Sequence, residues 1–341
     1  MKIERSKILE AMKLASSLTK SGRIMPIFES VKISPSGDGV TIQAADGSVW
    51  FSRQVAAEDP ITVCLHAGRL YAALHRMTGD VVDIDSAGAI KAGRQRVKIA
   101  PSDAAIWPEP KKVSGKTIEI PGLLTMIDRV RYAAGVNDPR PFLNGIQVKI
   151  SEGRVSVSAS DGHRLATISE EHEGDNLEII LPISAVDLML RVGADTIVTD
   201  SRIAQIGCLQ TSLVEGRFPE VSRFFKEDVE PYLTADRQEL IEGAELAASI
   251  QSGVKTAGIK IELEDSVATI RGASMTDSTA AEIDASGQDV VVGFGSQILI
   301  DALRQCSSET VSLCAIPGNA QDGHTIINDN GCNHLIMPMR I

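Results

Sequence analysis

Alternation of apolar and polar positions dominates this chain. In 29–52, ESVKISPSGDGVTIQAADGSVWFS, two alternating stretches flank a polar turn and run into a small-residue corner at Ala44-Ala45. Period-two patterning of this kind predicts antiparallel strands with one buried face. Segment 144–167, NGIQVKISEGRVSVSASDGHRLAT, repeats the pattern with its corner at Ala159-Ser160, and 257–281 repeats it more weakly with Ala273-Ser274. The corners lie 115 and 114 residues apart. Asp80, Asp195 and Glu309, which each close a helical pattern and precede a Val/Ile-rich strand, share those spacings. Two landmarks with one period identify three copies of a unit of about 114 residues.

Helical stripes recur inside each copy. Ile8, Met12 and Ala15 share one face, with Leu9 and Leu18 beside it, while Lys13, Ser17 and Lys20 share the other. In the next stripe Leu70, Leu74 and Met77 form the core face, with Arg69, Ala73 and Arg76 opposite. Further helices are expected near 122–135, 183–193, 236–251 and 296–306, with Pro121 and Pro182 suited to helix entry. Each copy therefore reads as α+β, two helices covering one face of antiparallel sheets. Boundaries are expected in the polar, proline-containing stretches Pro108–Lys116 and Lys226–Pro231, which gives domains 1–113, 114–228 and 229–341.

Composition narrows the class. The chain has 341 residues, 43% hydrophobic and 23% charged, which excludes a disordered or collagenous protein. No stretch approaches the roughly 18 apolar residues of a membrane helix, and the charged start MKIERSKILEAMK holds no signal-peptide core. Five scattered cysteines (Cys64, Cys208, Cys306, Cys314, Cys332) without a CxxC pair suggest neither a disulfide framework nor a zinc site, so a thiol-reduced, cytoplasmic protein is expected. The net charge of −11 argues against nucleic acid only on average. Residues 1–113 carry +4, 114–228 carry −5 and 229–341 carry −10, which is compatible with a basic working surface on an acidic body.

Catalytic motifs are missing: there is no Walker loop, GxSxG, HExxH or GxGxxG. Asp161-Gly162-His163 could serve as an acid–base pair, but Asp-Gly at a strand end is a turn signal, and the first copy has Asp46-Gly47 in the matching place without a histidine. Two segments stand out. The tail Leu335-Ile336-Met337-Pro338-Met339-Arg340-Ile341 is apolar almost to its end, so it should be docked, either closing the last sheet or lining a groove. In Leu213-Val214-Glu215-Gly216-Arg217-Phe218-Pro219, glycine and proline break a strand and hold Phe218 and Pro219.

DPRPFLNG (138–145), SDGHRLA (160–166), LVEGRFPEV (213–221) and MPMRI (337–341) resemble, in order, the signature segments of the bacterial DNA polymerase III beta subunit, the sliding clamp. The resemblance covers essentially the whole chain. It implies three clamp domains per chain, closed head to tail with a second copy into a homodimeric ring around duplex DNA. Helices would line the inside, with Ile250 at the dimer interface. It further implies no cofactor, metal or catalytic site, and a role in tethering DNA polymerase and other replication and repair proteins.

The inner-face candidates are then Lys13, Lys20, Arg69, Arg76, Arg131 and Arg191. Arg23 matches a DNA-contacting position, and Asn137 and Arg140 match a loop that approaches the duplex. The resemblance also implies a pocket for short hydrophobic peptide motifs of the polymerase and clamp loader. It would be formed by Arg140, Leu143, Ser160, Gly162, His163, Arg164 and Leu165 from the centre of the chain, with Pro219 and Phe224 from the corner and Leu335, Met337, Pro338, Met339 and Arg340 from the tail.

The chain departs from the family at Pro141, where an aromatic is frequent, at Phe224, where a smaller aliphatic is usual, and in its shorter length. The third copy's first helix carries Glu239, Glu242 and Glu245, so some of these should face outward, or DNA is held by the first two domains. A hydrolase built on Asp161 and His163 is the rival from another class. A site-specific DNA regulator is the third reading, and no recognition-helix signature supports it.

Overall fold

The expected apolar stripes become six α-helices among the described residues of the computed structural model, which describes the chain except 20–24, 201, 226–228, 252–256, 316–322 and 341. Each repeat holds two of them. They are α1 (Arg5–Leu18) and α2 (Ala67–Arg76), α3 (Leu123–Val130) and α4 (Ile183–Val192), and α5 (Arg237–Ser249) and α6 (Ser296–Gln305). Ile8, Met12, Ala15 and Leu18 of α1 are buried as one stripe. Asp236 caps α5 by accepting the amides of Gln238 and Glu239 at 2.8 and 2.9 Å. Helix α3 stops short of residue 135 and tightens into a turn at Arg131–Ala133, because the Gly135 amide donates to the Leu143 carbonyl instead.

The repeat is visible in individual bonds. The amides of Arg5, Ile120 and Arg237 donate to the carbonyls of Asp80, Asp195 and Glu309 at 2.7, 2.8 and 2.8 Å. These acceptors are the three landmark residues that end a helical pattern in the sequence. Arg5 and Arg237 each add a guanidinium bond at 2.9 Å, to the Gly79 and Ser308 carbonyls.

Backbone contacts divide the chain into two compact units, Met1–Pro121 with Ser184–Leu213, and Gly122–Ile183 with Val214–Ile341. Each unit contains one antiparallel sheet, and each sheet has twelve strands among the described residues. The middle repeat is shared between the units because strand pairing carries each sheet across a repeat boundary. In the first unit, Val49–Glu58 ends the opening meander and pairs with Leu209–Ser212, Phe51 opposite Leu209 and Trp50 opposite Gln210. In the second unit, Arg164–Glu171 pairs with Cys332–Ile336, Leu165 opposite Leu335 and Thr167 opposite Asn333.

Among the strands that keep a free edge in the described residues, one belongs to the first repeat and one to the third. Gln95–Lys98 ends the first sheet with all four residues exposed. Ser278–Gly287 is paired along its length with Val267–Ala273, but on its other side only through Ala285–Gly287.

Helix α5 lies close on the second unit's sheet, above a core that includes Leu240, Ala244, Ile270, Phe294 and Leu303. Its approach depends on Gly272, where a Cβ would stand 2.0 Å from the Ala247 carbonyl oxygen. Backbone cannot yield there as a flexible side chain would. Gly272→Ala should lower the unfolding free energy by roughly 1–3 kcal/mol, read from urea titrations of the variant against the parent.

Candidate functional site

A tight turn organises an apolar concave surface of the second unit. Strands Arg154–Ser160 and Arg164–Glu171 are joined through Asp161-Gly162-His163. Asp161 Oδ1 accepts the amides of His163 and Arg164 at 2.8 and 3.0 Å, as a short acidic side chain does in such turns. Gly162 has φ +88°, a left-handed conformation that favours glycine, and the Arg140 guanidinium lies over the space a Cβ would take. The tail continues the sheet past its last strand, the Met337 amide donating to the His163 carbonyl at 2.9 Å.

Side chains alternate across a strand, so Ser160, Leu165, Leu335 and Met337 emerge on one face. Phe218, Pro219, Val221 and Phe224 stand over them, Phe218 buried in a cluster with Leu143, Leu165, Ile180 and Leu335. The turn Pro141–Leu143 supplies the remaining wall. Together they enclose about 360 Å³ of mostly apolar space, enough for a few apolar side chains.

Of the fourteen pocket residues expected, Arg140, Leu143, Ser160, Gly162, His163, Arg164, Leu165, Pro219, Phe224, Leu335 and Met337 line this cavity. Phe142, Phe218, Val221 and His324 join them. Phe142 and Phe218 sit within segments already conspicuous in the sequence, whereas His324 carries no signal and arrives through a hydrogen bond with the Phe224 carbonyl. Pro338, Met339 and Arg340 do not line the cavity. The Met339 amide donates to the Gly293 carbonyl at 2.8 Å, which carries the tail along Val290–Gly295.

Charge at the rim is fixed rather than free. The Arg140 guanidinium is held by Asp138 at 2.9 and 3.1 Å, and its hydrogen bonds lower the Asp138 carboxyl to about 2. Asp161 Oδ1 accepts the two amides and Oδ2 accepts Arg164 Nε at 3.0 Å. Among the described residues no hydrogen bond joins Asp161 to the His163 imidazole, so the acid–base pair of the hydrolase reading is not assembled. Among the described residues no three His, Cys, Asp or Glu gather as a metal site, and no helix is long and apolar enough to cross a membrane.

The DNA candidates are distributed over both units. Lys13 on α1, Arg69 and Arg76 on α2 and Arg191 on α4 are exposed in the first unit. In the second, Arg131 pairs with Asp128 at 2.7 Å, Asn137 is exposed with φ +59°, and Arg140 sits at the cavity rim. Lys20 and Arg23 lie outside the described residues. Glu239, Glu242 and Glu245 are all exposed on α5, Glu245 bound by Arg304 at 2.6 Å. Ile250 is half-buried where α5 ends.

Models of the DNA polymerase III beta subunit match the chain in three consecutive pieces, the N-terminal domain at 1–108, the central domain at 117–220 and the C-terminal domain at 222–340. The chain belongs to the DNA polymerase III beta subunit family. It is a sliding clamp of DNA replication. The beta sliding clamp of Pseudomonas aeruginosa is 25% identical over 99% of both chains, and that of Streptococcus pneumoniae 23% identical over 99% of this chain and 98% of its own. The crystal structure of the P. aeruginosa beta subunit superposes with a TM-score of 0.89 over 100% of both chains at 23% identity. The Caulobacter crescentus beta subunit gives 0.86 at 22% identity over 100% of both chains. A further P. aeruginosa clamp, bound to griselimycin, gives 0.89 at 23% identity over 100% of this chain and 99% of its own.

Beneath the turn, on the helix side of the sheet, lies a buried polar group. His334 Nδ1 shares a 2.8 Å hydrogen bond with the Tyr132 hydroxyl, and burial lowers the imidazole from 6.5 to about 4. Burial would raise Asp329, but bonds from the side chains and amides of Ser308 and Ser307 outweigh it and hold the carboxyl at about 2. Between pH 6.5 and 4 an unfolded His334 takes up a proton that the folded one refuses, so stability falls as pH drops. Asp329 contributes stability above its ordinary value of 3.8 that is lost as pH falls towards 2. Urea midpoints should therefore decline from about pH 6.5 downward, and His334→Gln should flatten the stretch between 6.5 and 4.

Proposed function

We propose that this clamp is a non-catalytic processivity factor of three domains, 1–113, 114–228 and 229–341, that closes with a second copy into a head-to-tail ring around duplex DNA. The observation that carries the reading is the pattern of sheet seams. The last meander strand of the first repeat is paired by the second repeat, and that of the second by the third. The third repeat's Ser278–Gly287 keeps an open edge, and so does the first repeat's Gln95–Lys98. A second copy satisfies both edges at once, and two such contacts related by a twofold axis close the assembly. Ile250, with the exposed Leu246 one turn before it, supplies apolar area beside that seam.

DNA is held through the phosphate backbone by Lys13, Arg69, Arg76 and Arg191, with the acidic α5 contributing little. Contact of this kind is weak and salt-sensitive, so retention is topological. The apolar cavity receives short hydrophobic peptide motifs from a polymerase and a clamp loader, with the rim arginine and backbone fixing direction.

Replacing Ser249 and Ile250 with aspartate should give monomers by light scattering, and an unchanged dimer would reject the interface. A loaded ring should outlast extensive washing on circular DNA and slide from linear ends; equal lifetimes on the two would count against encirclement. Deleting Met337–Ile341 removes one apolar wall side chain, Met337, and the backbone that seats it beside the His163 turn; burying a full side chain of this kind is worth roughly 1.5–3 kcal/mol. Binding of a fluorescent apolar peptide should weaken by about tenfold while the dimer persists.

A further inference from the structure

We infer that the Arg164–Asp301 ion pair is a positioning device for peptide capture, through which helix α6 sets the rim of the cavity from the opposite face of the sheet. The inference rests on the reading of the cavity as a peptide site. Leu165, Thr167 and Ser169 line concavities on one face of their strand. Strand alternation therefore sends the Arg164 side chain to the other face, although its residue borders the cavity. There its guanidinium is only 15% exposed. Nε donates to Asp161 Oδ2 at 3.0 Å, Nη1 donates to Asp301 Oδ2 at 2.6 Å, and the group lies 5.2 Å from the centre of the Tyr132 ring.

Asp161 is also the residue that caps the Gly162-His163 turn, and the His163 carbonyl receives the Met337 amide. Three links thus run from α6 to the cavity wall: Asp301 to Arg164, Arg164 to Asp161, and the turn to the tail. The corresponding turns of the other repeats are closed by different residues. In the first, Asp46 caps the amides of Ser48 and Val49, and Val49 stands where Arg164 does. In the third, Ser274 and Asp277 close the turn between themselves. At the turn that borders the cavity one arginine bridges Asp161 and Asp301, and its fixed fork suits holding two carboxylates in register. Asp301 and Tyr132 are thereby positioning residues that never touch the peptide, and their effect on affinity comes from preorganising the rim.

The test uses the full-length protein and a fluorescein-labelled hexapeptide containing leucine and phenylalanine, titrated by anisotropy. Asp301→Asn should weaken binding by ~5- to 10-fold, and Asp301→Glu should restore it. Arg164→Ala should weaken it at least as much, and adding Asp301→Asn to that variant should cost nothing more, as expected for two residues on one route. Amide exchange at Gly162, His163 and Arg164 should quicken in Asp301→Asn while its urea midpoint stays near the parent's. Parent-like affinity in Asp301→Asn, or losses that add in the double variant, would overturn the inference. Should Arg164→Ala not fold, the contrast between asparagine and glutamate at 301 decides alone. If the parent protein itself fails to bind the peptide, the peptide-site reading falls and takes this inference with it.

Discussion

Backbone amides and carbonyls along the edge of a sheet need partners, and in this chain they find them in the following repeat. Phe51 is joined to Leu209 and Ala166 to His334 by the same antiparallel step. Each repeat finishes its meander with a strand that its own second strand set cannot fully cover. The strand borrowed from the next repeat fuses neighbouring repeats into single sheets, which is why the compact units cut through the middle repeat rather than between repeats. It also brings Leu335 and Met337 beside Leu165, so the cavity is a by-product of sheet continuity.

The two seams are built alike and end differently. After each meander the chain crosses the sheet with an aromatic-Pro-Glu segment, Trp107-Pro108-Glu109 in the first unit and Phe218-Pro219-Glu220 in the second. The glutamate of each pairs with a lysine on a meander strand, Lys32 and Lys149 respectively. In the first unit Trp50 and Phe28 occupy the places of Leu165 and Leu143, and Phe28 meets Trp107 edge-on with ring centres 6.4 Å apart. Aromatic side chains pack against one another in that seam. In the second unit leucines stand in the same places and leave room. On one backbone plan the two seams differ in side-chain size, aromatic in the first and leucine in the second, where the cavity lies.

Electrostatics follow the same division of labour. Helices α1 and α2 carry Lys13, Arg69 and Arg76 exposed, whereas α5 exposes three glutamates. The overall charge of −11 thus averages over an uneven distribution of exposed charge along the chain. In the second unit the charged groups near the cavity are committed to one another: Arg140 with Asp138, and Arg164 with Asp161 and Asp301. They shape an apolar space without entering it as free charges.

The sequence by itself determined the repeat, the strands and helices, the family and most of the residues around the cavity. Burial patterns are local: Ile8, Met12 and Ala15 declare a helix face wherever that helix packs, and Asp80, Asp195 and Glu309 mark positions whose backbone carbonyls accept the same bond in each repeat. What depends on strands meeting across hundreds of residues was decided only by tertiary structure. His324 enters the cavity wall through a contact with a carbonyl 100 residues away. Pro338, Met339 and Arg340 leave it because the tail follows the edge of Val290–Gly295. Arg164 borders the cavity yet turns its charge to Asp301 on the far face, since alternation along a strand fixes a side chain's direction only once the sheet's partners and register are known.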